Sequence, residues 1–286
     1  MFLNFRLSII LLVATISFNS CVTTSHYLSP LYGTASNYHT MPLKQDSVKY
    51  SLYANGSFNV GGNNEDLRDN SYSFQGSLYN VHQFGLFKGW YGAGLTLGNY
   101  EISRYDTNTV NPDFDTAFVN KYGGNNFFGS ANLAGGIGIA IPISRSGEWR
   151  IIAVSATLQN EFGKYLQFRQ RIEKDHINVS SLAPNSLLAT IGISTGMAWH
   201  TRNGSIALQT QLNYLLGKSY TFTDYDNNGE QFLRHYNYVN NTVSYTRNRL
   251  TGFLQANIGK RMSNFGTGVN YRLIPSKKKT TVSRTT

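Results

Sequence analysis

Asp224-Tyr225-Asp226-Asn227-Asn228-Gly229 places oxygen-bearing side chains at alternate positions, with a glycine where a sharp turn is needed. That is how a calcium loop begins, with Asp224, Asp226 and Asn228 as its first ligands. The twelfth position is His235 rather than the bidentate glutamate, and strand-like sequence flanks the motif. A plain Asn-Gly turn at the tip of a hairpin accounts for the same residues, so no metal is expected. His82, His176, His200 and His235 could serve a serine hydrolase or acyltransferase, but no Ser-His-acid spacing accompanies them. The glycine pairs 123–124 and 135–136 lack the following helix of a phosphate loop. No catalytic residue and no cofactor is expected, and the chain reads as a non-enzyme.

Cys21 is the single cysteine. It follows a start with one positive charge, Met1 to Arg6, an apolar run from Leu7 to Phe18, and Asn19-Ser20. That order describes an export signal over 1–20, too short to remain as a spanning helix. A thiol directly after such a cut is the acceptor for an acyl chain such as palmitate, which would tether the mature chain to a membrane. An ordinary secretory signal with an incidental cysteine is the alternative. Either way no disulfide can form within the chain.

These groups would have to be carried by strands. Charged residues are 14% and aromatics 14% of the chain, with 27 Gly and 6 Pro, a composition poor in helix formers. Mean hydropathy is −0.30, as expected where strands rather than apolar helices cross a bilayer. From Leu187 the odd positions to Trp199 are mostly large and apolar, while the even ones are small or polar. After Arg202-Asn203-Gly204, a strong hairpin signal, the even positions 206 to 216 form the apolar row and the odd ones the polar row. The period recurs over 47–61, 89–102, 125–143 and 149–168. With further crossings at 71–84, 248–261 and 264–274 the count is nine, and a closed antiparallel barrel needs an even number. Either residues 230–245 hide another, more polar crossing or one segment is not a strand.

The expectation is an all-β, antiparallel, up-and-down transmembrane β-barrel of eight to ten strands over 47–274, with apolar residues facing lipid and small polar ones filling the lumen. A soluble lipocalin-like barrel is the alternative. Trp90, Tyr91, Trp149, Tyr165, Phe168, Trp199, Tyr214 and Tyr220 are expected in interfacial girdles. Short turns are expected at 84–89, 144–148, 201–204 and 262–264, and long loops at 61–71, 103–124, 170–185 and 222–245. Residues 21–46 read as a linker and 275–286 as a basic tail. Glu161, Lys49 and Arg272 fall on the inward face by parity, so Glu161 needs a basic neighbour.

Tyr38-His39-Thr40-Met41-Pro42-Leu43 before the first strand, and Tyr72-Ser73-Phe74-Gln75-Gly76-Ser77-Leu78-Tyr79 in the second, resemble the opening of barrel-type outer-membrane lipoproteins of Bacteroidota. There a threonine-proline-leucine box precedes the first strand and a glutamine-glycine-alanine-tyrosine-like box marks the second. Here Met41 interrupts the first, and Ser77-Leu78 stand in the second. The resemblance implies a chain anchored in the cell outer membrane through Cys21. The acidic cluster that directs many such proteins to the surface is absent from Val22-Thr23-Thr24-Ser25, which implies an anchor facing the periplasm, with long loops outside.

Most of the 15 acidic residues lie in the long loops, while the net charge is +10. A basic chain could bind nucleic acid in principle, but no nucleic-acid motif is present and the export signal argues against it. The expected partners are outer-membrane lipid and other outer-membrane proteins, met through loop residues Tyr105, Phe114, Tyr225, Phe232 and Tyr236. A structural or accessory subunit of a larger outer-membrane assembly is the leading function. A small-ligand binding or transport barrel comes second, and a lipid-modifying enzyme third.

Overall fold

The computed structural model describes residues 26–32, 38–42, 49–64, 69–102, 121–144, 146–175, 181–216, 222–225, 231–234, 236–259 and 262–274. Cys21, Tyr105, Phe114, Asp226, Asn228 and the tail 275–286 lie outside them. Ten strands close into one antiparallel barrel: β2 (Tyr50–Asn64), β3 (Asp69–Phe84), β4 (Phe87–Ile102), β5 (Gly124–Pro142), β6 (Gly147–Phe162), β8 (Leu187–Thr201), β9 (Gly204–Leu216), β12 (Asn237–Arg247), β13 (Leu250–Gly259) and β14 (Met262–Ile274). β14 pairs back onto β2, which removes the sheet edges. Four short strands lie outside this wall: β1 (His26–Tyr27) runs parallel to β7 (Ser181–Leu182), and β10 (Phe222–Tyr225) forms a hairpin with β11 (Gln231–Arg234).

The strand count therefore closes at ten. The additional crossing is β12, which leads through Asn248, at φ 57, into β13. Asparagine tolerates that left-handed backbone better than most residues.

The two faces follow the period-2 reading. Ile193, Leu212, Leu133, Phe74, Leu254 and Phe265 point outward, and each exposes more than two fifths of its surface. Ser57, Gln75, Thr96, Ser130, Gln159, Gln211, Asn240, Thr242, Asn257 and Asn270 point inward and are buried. This is the reverse of a soluble barrel, whose wetted surface is polar. The lumen is crowded: a Cβ on Gly192 would run into the side chains of Gln211 and Asn213. Tyr91, Trp149, Trp199 and Tyr214 lie on the outer surface, whereas Trp90, Tyr165 and Phe168 are buried inside rather than in a girdle.

One rim carries only tight connections, at 85–86, 143–146, 202–203 and 248–249; it is called the turn rim below. The opposite, loop rim holds the connections 103–123, 163–186 and 217–236, but also the short ones 65–68 and 260–261. Two expectations change accordingly. The segment 61–71 is largely strand, and the turn near 262–264 belongs to the rim of the long loops. The expected crossing 149–168 ends at Phe162, and its last residues form, with the start of the expected loop 170–185, a helix, α1 (Lys164–Lys174). Gly163, at φ 119, ends β6 ahead of it, and a Cβ there would meet the Phe127 carbonyl oxygen at 2.6 Å.

The largest correction concerns the expected linker 21–46. Residues 26–32 and 38–42 are not free chain but fill the barrel. Leu28, Leu31 and Tyr32 are buried beside Tyr100, Leu188, Leu215 and Tyr238, at the loop-rim ends of four strands. Tyr38 reaches Ser244 and Phe253, and Pro42 reaches Lys88, near the turn-rim end of β4. The N-terminal strap thus enters at the loop rim and traverses the lumen. The chain then starts β2 at the turn rim.

The stoppered lumen as candidate functional site

Three layers of contact hold the strap. At the turn rim its carbonyls meet two cations, the buried Lys88 and the partly buried Arg150. Lys88 Nζ donates to Pro42 O at 2.8 Å and to Glu148 Oε1 at 2.5 Å. Arg150 donates to Met41 O at 3.2 Å and lies 3.4 Å from the same carboxylate oxygen. One carboxylate between two cations offsets one of the two positive charges, and a strap carbonyl on each cation supplies a further acceptor where water is scarce.

In the middle layer the Thr40 N–H donates to the Tyr79 hydroxyl at 3.0 Å, and that hydroxyl lies 2.9 Å from Asn270 Oδ1. Asn55 Nδ2 donates to the same oxygen at 2.9 Å. His39 stacks on Trp90 with centroids 3.7 Å apart and meets Tyr79 edge-on at 4.6 Å.

At the loop rim helix α1 lies inside the barrel mouth. Tyr165, Phe168, Arg169 and Ile172 fall at i, i+3, i+4 and i+7, and all four are buried. Phe168 packs edge-on against Tyr27 at 5.0 Å, and Tyr165 stacks on Tyr100 at 3.9 Å. Glu161 joins three parts of the chain. Ser29 Oγ of the strap donates to its Oε2 at 2.6 Å, and Arg169 of the helix forms a buried ion pair with its Oε1. Arg169 also donates to Ala183 O. The expected basic neighbour of Glu161 is present, supplied by the helix rather than by a facing strand. The Tyr165 hydroxyl donates to Leu28 O at 3.2 Å. Burial holds its phenol well above the ordinary value, so it remains a donor at physiological pH.

Beside the strap lies a cavity of about 40 Å³. The strap residues His39 and Met41 line it together with Trp90, the cations Lys88 and Arg150, and the wall residues Ser155, Thr157, Ser194, Thr195, Gln209 and Gln211. It has room for a few water molecules only. Several buried polar atoms of the wall have no hydrogen-bond partner among the described residues: Thr96 Oγ1, Ser130 Oγ, both amide atoms of Gln159, Asn59 Nδ2, Asn213 Nδ2 and Asn270 Nδ2.

The other candidate residues are not brought together. Asp224 sits in β10 opposite Phe232, and Tyr225 pairs with Gln231. Tyr236 does not face outward toward a partner. It is 2% exposed and packs on Tyr32 at 5.1 Å, because even-numbered residues leading into β12 face the lumen. His82 lies among Tyr50, Phe84 and Tyr91, while His200 ends β8 near the turn rim. His176 and His235 lie outside the described residues. Lys49 is exposed, and Arg272 donates to Asn248 O at 3.2 Å near the turn rim. Sequence reasoning missed the strap, the helix and Arg169. The helical stripe at 165, 168, 169 and 172 was the available signal.

No protein-family model matches the chain, and no curated protein matches it. Among solved structures it is similar to the translocator domain of the autotransporter NalP from Neisseria meningitidis, at 9% identity and TM-score 0.39, covering 80% of this chain and 90% of that one. The transport unit of the autotransporter AIDA-I from Escherichia coli gives 10% identity and TM-score 0.38, covering 86% and 99%. The Pseudomonas putida toluene transporter TodX gives 10% and 0.29, covering 90% and 74%. Likeness this distant bears on neither activity nor partners.

Proposed function

We propose that this chain is an outer-membrane β-barrel that is closed at rest and serves as a structural or accessory subunit of a larger outer-membrane assembly. The observation that carries the membrane reading is the outer surface. Rows of Leu, Ile, Val and Phe on ten strands stand exposed around a lumen of amides and hydroxyls. In water such a surface would drive aggregation, whereas in a bilayer it is the favourable face. The closed state rests on the strap and helix that fill the lumen, and the accessory role on the absence, among the described residues, of side chains converging on a reaction.

Cys21 is the proposed acylation site, after removal of an export signal over 1–20. Four residues, 22–25, and so five Cα-to-Cα steps, separate it from His26, which lies at the loop rim. Five steps span at most about 18 Å, less than the roughly 25 Å apolar band of such a barrel. The anchor and the long loops therefore belong to one face of the membrane, in place of the expected anchor beside the short turns. Insertion of purified protein into lipid vesicles tests the reading. Heat-modifiable migration with vesicle-bound protein supports it, and a soluble monomer in the absence of detergent or lipid contradicts it.

A further inference from the structure

We propose that the barrel is a stoppered passage for small, neutral, hydrophilic solutes of the sugar or polyol class, with the strap segments 26–32 and 38–42 as the stopper. This rests on the membrane reading above and goes beyond the closed, accessory role.

The wall is more polar than the strap requires. A core built only to enclose the strap would be expected to satisfy its buried polar groups, since an unpaired one keeps its full desolvation cost. Yet Thr96, Ser130 and Gln159, all at most 1% exposed, present atoms with no partner among the described residues. Thr96 is opposite Ser130 in the β4–β5 register, and Ser130 is opposite Glu161 in β5–β6, with Gln159 two residues along the same face. These groups form one patch below the Glu161 junction. Ser155, Thr157, Ser194 and Gln211 continue the polar lining beside the cavity.

The strap in its middle and turn-rim layers is held through backbone groups, Thr40 N–H, Met41 O and Pro42 O, and through the Tyr38 and His39 side chains. The backbone contacts retain an extended segment without demanding a particular side chain at 40–42. The lining also dictates the solute class. Its fixed charges lie toward the two rims: Arg169 pairs with Glu161 and Asp69 accepts from Tyr100 at the loop rim, while Lys88 and Arg150 share the one Glu148 carboxylate at the turn rim and leave a single positive charge there. Between these clusters the lining is hydroxyl and amide, which both donate and accept and so suit neutral polyhydroxyl solutes better than ions.

The test compares proteoliposomes holding the full chain, a chain lacking 26–42, and the same deletion with Arg169→Ala, which also loosens the helix. Swelling is followed in isotonic arabinose. The full chain should swell no faster than protein-free vesicles, and at least one deletion should swell roughly tenfold faster, as expected for an emptied narrow lumen. A milder variant, Thr40→Pro with Tyr79→Phe, removes the middle-layer hydrogen bonds while leaving the strap in the chain. It should give intermediate swelling, together with a change in Trp90 fluorescence as His39 leaves its stack. Folded, heat-modifiable deletions that take up no arabinose overturn the proposal, as does faster water exchange without sugar uptake. Rapid uptake by the full chain overturns the role of the strap. A full chain that fails to enter vesicles contradicts the membrane reading itself and removes the passage with it.

Discussion

Ser29 donates a 2.6 Å hydrogen bond to Glu161 across 132 positions of sequence, inside the barrel. That one contact joins the N-terminal strap to the wall, and through Arg169 it joins both to helix α1. A segment with no secondary-structure period is thereby built into the core of a barrel that begins at residue 50.

The Glu161–Arg169 pair should be costly to break from one side. Arg169→Met leaves a buried carboxylate with one hydroxyl donor, and should destabilise the barrel by about 3–5 kcal/mol in urea unfolding. Glu161→Gln together with Arg169→Met should lose less than the single change, because no unpaired charge remains. A larger loss in the double variant would mean that the pair is not the coupling assigned here.

The two faces of the β8–β9 hairpin should respond differently to charge. Ile193→Arg and Leu212→Arg place a guanidinium in the apolar belt and should each cost about 2–4 kcal/mol of folding free energy in lipid. Ser194→Arg points into the lumen beside the cavity lined by Gln209 and Gln211, and its effect should be steric and independent of bilayer thickness. Equal, mild losses at all three positions would argue for a soluble fold.

Much of this was legible in the sequence because a period of 2 fixes which residues share a face. The Asn203-Gly204 turn and the rows beyond it match the register Ile193↔Leu212 and Trp199↔Ile206. Strand β12 was obscured by Asn240-Asn241, which reads as a turn, and by an outward row interrupted at Asn241. The strap was illegible for a different reason: its fit depends on Tyr79, Lys88, Glu161 and Tyr236, which no local pattern connects to it. Helix α1 could have been seen, since Tyr165, Phe168, Arg169 and Ile172 keep helical spacing, but Phe168 also continues the even-numbered apolar row of the preceding strand, Ile152 to Phe162.

Lumen crowding makes a second class of substitution informative. Gly192→Val forces a side chain into Gln211 and Asn213. It should destabilise by about 1–3 kcal/mol through overpacking. Gly252→Val, where nothing lies within 4 Å of an added Cβ, should be close to neutral by the same urea measurement.

The mature N-terminus should be acylated Cys21, with mass spectrometry showing a lipid-modified first peptide. An unmodified terminus, or one beginning elsewhere, ends the anchoring proposal without touching the barrel. Cys21→Ser should leave a precursor that is not lipid-linked.

The threaded topology is tested most directly by epitope tags placed singly after Thr24, near Asn111, near Asn228 and near Ser146, with antibody added to intact cells. The strap carries the chain from the loop rim to the turn rim, so the tag after Thr24 should label together with those near Asn111 and Asn228, while the tag near Ser146 labels only after permeabilisation. Labelling of the Thr24 tag together with the Ser146 tag, and apart from the loop tags, would contradict a strap that runs through the barrel.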